Sequence, residues 1–252
     1  MTEKNDSSKS MMILGLLLAI GMASAAFILG VQAKRAVAGS QSISVKGLAE
    51  KPIKADRAEW VVSVGVIADT EAQALKKLAI ERKVLDNFLT KQGLDQTTWT
   101  VELENLRPHL EEVFINGNDR PRQVQKGFEA SQSIRVLSKD LSKITEANKA
   151  FLQLRAENSQ VSAQAPNYLV GDLEVIKMSL IADATKNARA RATEFVKQDN
   201  AKVGTMKSAN QGAFYILPVG GEVPEDSYGG KYDKSTIDKT ARVVVTVVYN
   251  IE

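Results

Sequence analysis

The chain has 252 residues, 44% hydrophobic and 25% charged. These are the proportions of a folded globular chain, and they exclude a wholly disordered, collagenous or multi-span membrane protein. Cysteine is absent and His109 is the single histidine, which excludes disulfide scaffolds, zinc fingers, Cys nucleophiles, lipid anchoring through an N-terminal Cys and metal sites built from several histidines. The net charge of +3 misleads, because residues 1–38 carry Lys4, Lys9, Lys34 and Arg35 against Glu3 and Asp6, leaving the remainder at +1. No run of Lys/Arg interleaved with aromatics follows, which argues against a nucleic-acid surface.

Residues 1–10 are polar and read as a cytoplasmic tail. Met11 to Ala33 carry no charge. At about 1.5 Å per residue a helix over that run is about 34 Å long, enough to cross a hydrocarbon core of about 30 Å. Residues 34–41 read as a linker and 42–252 as an exported domain. Two readings stay open. The segment 11–33 is an uncleaved anchor in the inner membrane with the C-terminal domain in the periplasm. Otherwise it is a long signal segment cut after Ala38, where Ala36-Val37-Ala38 has the small-x-small pattern of a cleavage site.

The body opens with Ile43, Val45 and Gly47 alternating with polar residues, and Pro52 breaks the run. Trp60, Val62, Val64 and Val66 then alternate as a strand covered on both faces. Thr70-Glu71-Ala72-Gln73 is a capping box for a helix carrying Leu75, Leu78, Leu85, Phe88 and Leu89, with Gly93 at its C′ position. Trp99, Val101 and Leu103 are expected to face inward, with Thr100, Glu102 and Glu104 outward. Arg107 to Lys126 is polar, with a hairpin signal at Asn116-Gly117 and Pro121 marking an edge. Phe128, Ala130, Gln132, Ile134 and Val136 alternate as a strand.

A second helix is expected over Asp140 to Asn158, with Leu141, Ile144, Ala147, Phe151 and Leu154 on one stripe. The longest helix starts at Gly171-Asp172 and ends near Lys197. Its apolar face is expected to be Leu173, Ile176, Leu180, Ala184, Ala188, Ala192 and Phe195, with Lys186, Arg189 and Arg191 on the other side, the two arginines either solvated or meeting acidic residues of a neighbouring subunit. Val203 to Leu217 is strand-like, Pro218 to Lys239 reads as a mobile loop, and Ala241 to Ile251 is a strand too apolar for an exposed edge. Strands adjoin strands in the chain, so the fold expected is α+β: a mixed or antiparallel sheet with three packed helices behind an N-terminal transmembrane helix.

Several stretches carry a resemblance. They are Ile43-Ser44-Val45-Lys46-Gly47 with Lys51-Pro52, the helix start Thr70 to Leu75, Pro166-Asn167-Tyr168-Leu169, Ala182 to Ala192, and Gln211-Gly212-Ala213-Phe214 before a Val-rich strand. In this order the chain resembles the SIMPL domain family of bacterial periplasmic and envelope proteins of unknown function. The resemblance implies an α+β domain, an export signal or anchor, homo-oligomers in some members and links to envelope or oxidative stress. It implies no catalytic residues and no cofactor.

Chemical constellations are sparse. His109 stands before Glu111 and Glu112, and Glu102 and Glu104 lie close in sequence. A ligand-binding or hydrolytic domain using these carboxylates near His109 is the alternative reading. Ser131 and Ser133 have no histidine partner or Gly-x-Ser-x-Gly elbow, and the glycines from Gly212 to Gly230 make no phosphate loop. The expectation is a non-catalytic protein without cofactor or metal, held to the membrane through residues 11–33. It is expected to act as a homo-oligomer or through unknown envelope proteins, with no nucleic acid.

Overall fold

The computed structural model describes residues 3–38, 41–114, 121–223 and 229–252, with side chains from residue 11 to 32 in the first of these. Helix α1 runs Glu3–Ala38. Beyond it the chain forms two compact units. One comprises Glu50–Lys177 with Phe214–Arg242, and the other holds residues up to Ala49 with Met178–Ala213 and Val243–Glu252. The α+β expectation holds. The strands are β1 Ser42–Lys54, β2 Arg57–Ala68, β3 Trp99–Val101, β4 Asn105–Val113, β5 Arg122–Ser138, β6 Val161–Ala163, β7 Asn167–Leu169, β8 Val203–Pro218, β9 Lys231–Tyr232 and β10 Asp238–Ile251. The helices of the body are α2 Glu71–Lys91, α3 Leu141–Glu157 and α4 Leu173–Lys197, with a 3-10 turn at Gln96–Thr98. One sheet has the order β1-β10-β8-β9. The other is β3-β5-β2-β6, with β4 also on β5 and β7 also on β2.

The Glu50–Lys177 unit is organised by the period-two pattern of β2. Ala58, Trp60, Val62, Val64 and Val66 turn into the core and are almost fully buried. β5 pairs with β2 antiparallel over residues 128–138, Trp60 opposite Val136 and Val62 opposite Ile134. Ala74, Leu78, Leu85 and Leu89 of α2 and Ile144, Ala147 and Phe151 of α3 fill the same core. Phe151 meets Trp60 and Phe88 edge-on, each at 5.7 Å between centroids, geometry worth about 1 kcal/mol per pair beyond the area buried. Trp60 keeps its indole N–H satisfied by donating to the Gln164 carbonyl at 2.9 Å. Thr70 caps α2, its Oγ1 accepting from the Gln73 amide at 3.3 Å, and Gly93 takes φ +71° at the helix end.

Three expectations fail here. Val101 is half-exposed and Leu103 is 90% exposed. β3 stops at Val101 because the next inward position of β5 is polar: Gln132 donates to the Glu102 carbonyl at 2.9 Å and to Glu104 Oε1 at 3.2 Å. Leu75 is 42% exposed, lying off the row of Ala74, Leu78, Leu85 and Leu89. The hairpin expected from Arg107 to Lys126 does form: its first arm is β4, which pairs with β5 on both sides of a bulge between Pro108 and Leu110. The segment 218–239 is not a loop throughout: β9 pairs parallel with β8 at Tyr215 and Ile216, and β10 begins by Asp238. The Asn116-Gly117 turn and Pro224 lie outside the described residues.

In the other unit β10 is central, as its apolar pattern requires. Val243, Val245, Val247 and Tyr249 are all at most 3% exposed. The buried row of α4 is Leu180, Ala184, Ala188, Ala192 and Val196, a strict spacing of four. Phe195, expected on that face, is 64% exposed. The small alanines let the helix lie close on β1: a Cβ added to Gly47 would stand 2.0 Å from the Ala184 carbonyl oxygen and 2.8 Å from Ala188 Cβ.

Candidate interaction surfaces

Among the described residues strand β1 has one partner, β10, so its other edge needs its backbone groups satisfied or wetted. The Ile251 amide donates to the Gln41 carbonyl at 3.0 Å. Alternation then turns the backbone of residues 42, 44, 46 and 48 outward. Helix α4 seals part of that edge with side chains one turn apart. The Leu48 amide donates to Asn187 Oδ1 at 3.2 Å, and Arg191 Nη1 donates to the Lys46 carbonyl at 3.1 Å. Arg189 lies over the Tyr249 ring at 5.5 Å. Neither arginine is simply solvated, the first of the two expectations for them. Beside the seal is an open groove of about 740 Å³ lined by Ser44, Val45, Lys46, Arg191, Glu194, Phe195 and Gln198.

On the far side of that sheet, β9 covers β8 only at Tyr215 and Ile216. Residues 203–213 therefore have no strand partner on that edge among the described residues, and Thr205 to Gly212 are exposed throughout.

The outer face of the six-stranded sheet is a polar lattice. Arg135 bridges Glu59 and Glu102 at 2.8 Å each, Arg107 forks onto Glu129 at 2.9 Å, and Ser63 and Ser133 share a hydrogen bond of 2.9 Å. Most of these charges are exposed, so each pair is worth at most about 1 kcal/mol. His109 sits at the β4 bulge with Glu111 at 3.5 Å. Glu102 and Glu104 face Arg135 and Gln132 instead, so the carboxylates named with His109 are not gathered around it. Among the described residues no three His, Cys, Asp or Glu side chains stand close enough to hold a metal.

A second polar cluster is buried. Lys239 is fully buried and Asp233 is 9% exposed. Lys239 Nζ donates to the Asp233 carbonyl at 2.6 Å and to its Oδ2 at 3.1 Å. The Ser235 amide and hydroxyl donate to Asp233 Oδ1, and the Thr236 amide and hydroxyl to Oδ2. Burial alone would raise the Asp233 carboxyl, but the Thr236 and Ser235 donors and Lys239 outweigh it and hold it well below the usual carboxylate range. Asp56 is also lowered, first by the Arg57 guanidinium at 2.9 Å, then by the Gly171 amide, against a smaller opposing effect of burial.

With this geometry in view, the family model that matches is SIMPL, described as a protein of unknown function (DUF541), over residues 43–249. The chain belongs to the SIMPL family. No curated protein matches it. Among solved structures, the de novo designed protein Foldit4 is 14% identical, covering 43% of this chain and 91% of that one at a TM-score of 0.22. A hydantoinase/carbamoylase family amidase from Burkholderia ambifaria is 13% identical over 48% of this chain and 28% of its own, with a TM-score of 0.21. An unknown protein from Galdieria sulphuraria is 11% identical over 77% and 83%, with a TM-score of 0.19. Such scores carry no argument about fold or function.

Two features of the SIMPL domain escaped the sequence reading. The Asp233–Lys239 pair lay inside a stretch taken for a loop, although Asp-x-Ser-Thr is a recognisable side-chain turn pattern. The sealing of β1 by Asn187 and Arg191 has no local signal, because its partners are about 140 residues apart.

Proposed function

We propose that this chain is a membrane-tethered, non-catalytic module of the cell envelope. Its domain faces the periplasm and works by association, first of all with copies of itself. The observation that carries the reading is α1. Met11–Gln32 is the described helix long and apolar enough to cross a membrane, and none of it is buried. Leu14, Leu17, Leu18, Ile20 and Phe27 are all more than half exposed. Apolar surface of that extent needs lipid or removal. Association is supported by the strand edges and by the near-neutral charge of residues 39–252.

The test has two parts. Membranes holding the full chain are extracted at alkaline pH, and the detergent-solubilised chain is sized by light scattering. The chain is expected to stay with the membrane at its full mass and to run as a multimer. Release of a soluble body beginning at Gly39 would replace the anchor by a cleaved signal. A monomer at tens of micromolar would end the self-association reading.

A further inference from the structure

Among the described residues, every strand edge in these sheets except one carries a device that discourages pairing with another chain. The β1 edge is sealed at Lys46 and Leu48 by Arg191 and Asn187. β4 carries Pro108, the bulge at His109 and the charges Glu111 and Glu112. β3, β6, β7 and β9 are at most three residues long. The exception is β8. Over residues 203–213 it has β10 on one side and, among the described residues, no strand on the other. Its exposed stretch, Thr205 to Gly212, contains no proline and a single charge, Lys207. An edge of that length, flat in composition and unguarded, presents a ladder of free backbone donors and acceptors.

We infer that this edge is a self-association strand: β8 of one chain adds antiparallel to β8 of a second copy, joining the two sheets into one. This rests on the self-association reading above and names its contact. The occupant follows from symmetry and charge. Two identical antiparallel strands are related by a two-fold axis that passes midway between a residue and its own copy. The middle of the open edge is Ser208. An axis there sets Ser208 opposite Ser208, Lys207 opposite Ala209, Met206 opposite Asn210 and Thr205 opposite Gln211. No charge then faces a like charge. An axis one residue earlier would oppose two copies of Lys207. Addition of β8 to β1 of a neighbour is disfavoured instead, because the Lys46 and Leu48 backbone groups it would need are already bonded to α4.

The chain has no cysteine, so one introduced thiol reports the contact. Full-length chain with Ser208→Cys is reconstituted in phosphatidylcholine vesicles, oxidised with copper-phenanthroline and run on a non-reducing gel. Residues directly opposite across an antiparallel pair are about 4.5–5.5 Å apart at Cα, within disulfide reach. A covalent dimer is expected for Ser208→Cys, and little or none for Thr205→Cys, whose copies would lie about 20 Å apart along the strands. Ser208→Lys, exposed and therefore neutral for folding, is expected to weaken the dimer about fivefold by setting like charges opposite each other. A chain that is multimeric by light scattering but gives no Ser208→Cys dimer overturns this contact while leaving self-association standing. Equal dimer from Thr205→Cys, an adduct of another mass, or a Ser208→Lys variant that dimerises unchanged also overturns it. A monomeric chain overturns both.

Discussion

Substituting Gly47 by alanine tests how tightly α4 is seated on β1. The new Cβ would lie 2.0 Å from the Ala184 carbonyl oxygen and 2.8 Å from both the Ala188 amide nitrogen and its Cβ. Two of these neighbours are helix backbone, so no rotamer change relieves the contact. The helix has to retreat by more than an ångström to restore ordinary van der Waals distance. Retreat opens the close packing at Ala184 and Ala188, both fully buried, and stretches the Leu48–Asn187 and Lys46–Arg191 hydrogen bonds. Overpacking of this kind costs about 1–3 kcal/mol, and the two weakened hydrogen bonds add about 1 kcal/mol each. The expected total is about 3–5 kcal/mol, or a fall in Tm of about 10 °C for a body of this size. Circular dichroism melting of the full chain in detergent reads it. Gly65→Ala is the control, because its Cβ meets only Ser131 Cβ at an ordinary 3.8 Å, and its Tm should stay within about 2 °C of the parent. A Gly47→Ala protein that melts like the Gly65→Ala protein would refute the close approach of helix and strand.

Other outcomes follow from buried groups. Asp233 is held ionised below its unfolded value, so its contribution to stability is complete above about pH 4 and is lost as the pH falls further. Asp233→Asn should cost about 3 kcal/mol at pH 7, by leaving Lys239 buried without its carboxylate partner, and should flatten the acid limb of the pH–stability curve; an unchanged acid limb would remove Asp233 from that role. Val245 is 3% exposed on the central strand β10, and Val245→Asp should leave no cooperative melting transition, since an unpaired buried carboxylate costs several kcal/mol; a two-state melt near the parent Tm would contradict its burial. His109→Ala should leave the melting temperature within about 2 °C, because its one ionic neighbour, Glu111, is more than half exposed.

Local signals account for what was legible in the sequence. The Thr70 cap, the glycine at position 93 and the alternation of β2 and β10 each depend on neighbours within a few residues, and each holds. The choice between Phe195 and Val196 for the end of the α4 stripe did not hold. Spacings of three and four both fit a helix, and the packing of Ala184, Ala188 and Ala192 against β1 fixes the row of fours. Gln132 was legible as a member of the β5 alternation, but its partners Arg82, at 2.6 Å, and Glu104 come from segments 28 to 50 residues away. Of the surfaces described above, the polar β4 arm was visible as a stretch without a core pattern. The open edge of β8 was not, because whether a strand is an edge depends on what lies beside it and not on its own residues.

The position of β10 between β1 and β8 sets a rule for how this protein is made. β1 ends by residue 54, and the strand that completes it does not begin until residue 238. Nearly two hundred residues must be synthesised before the first strand can find its neighbour, a separation that slows the closure of any sheet. A ribosome or an export channel that releases the chain from its N-terminus therefore emits a segment unable to lock into its final sheet. Such a chain stays threadable for as long as it is being moved. A message that stops before Val243 leaves β1 and β8 each without the strand that pairs them, so truncated products should be sticky and short-lived.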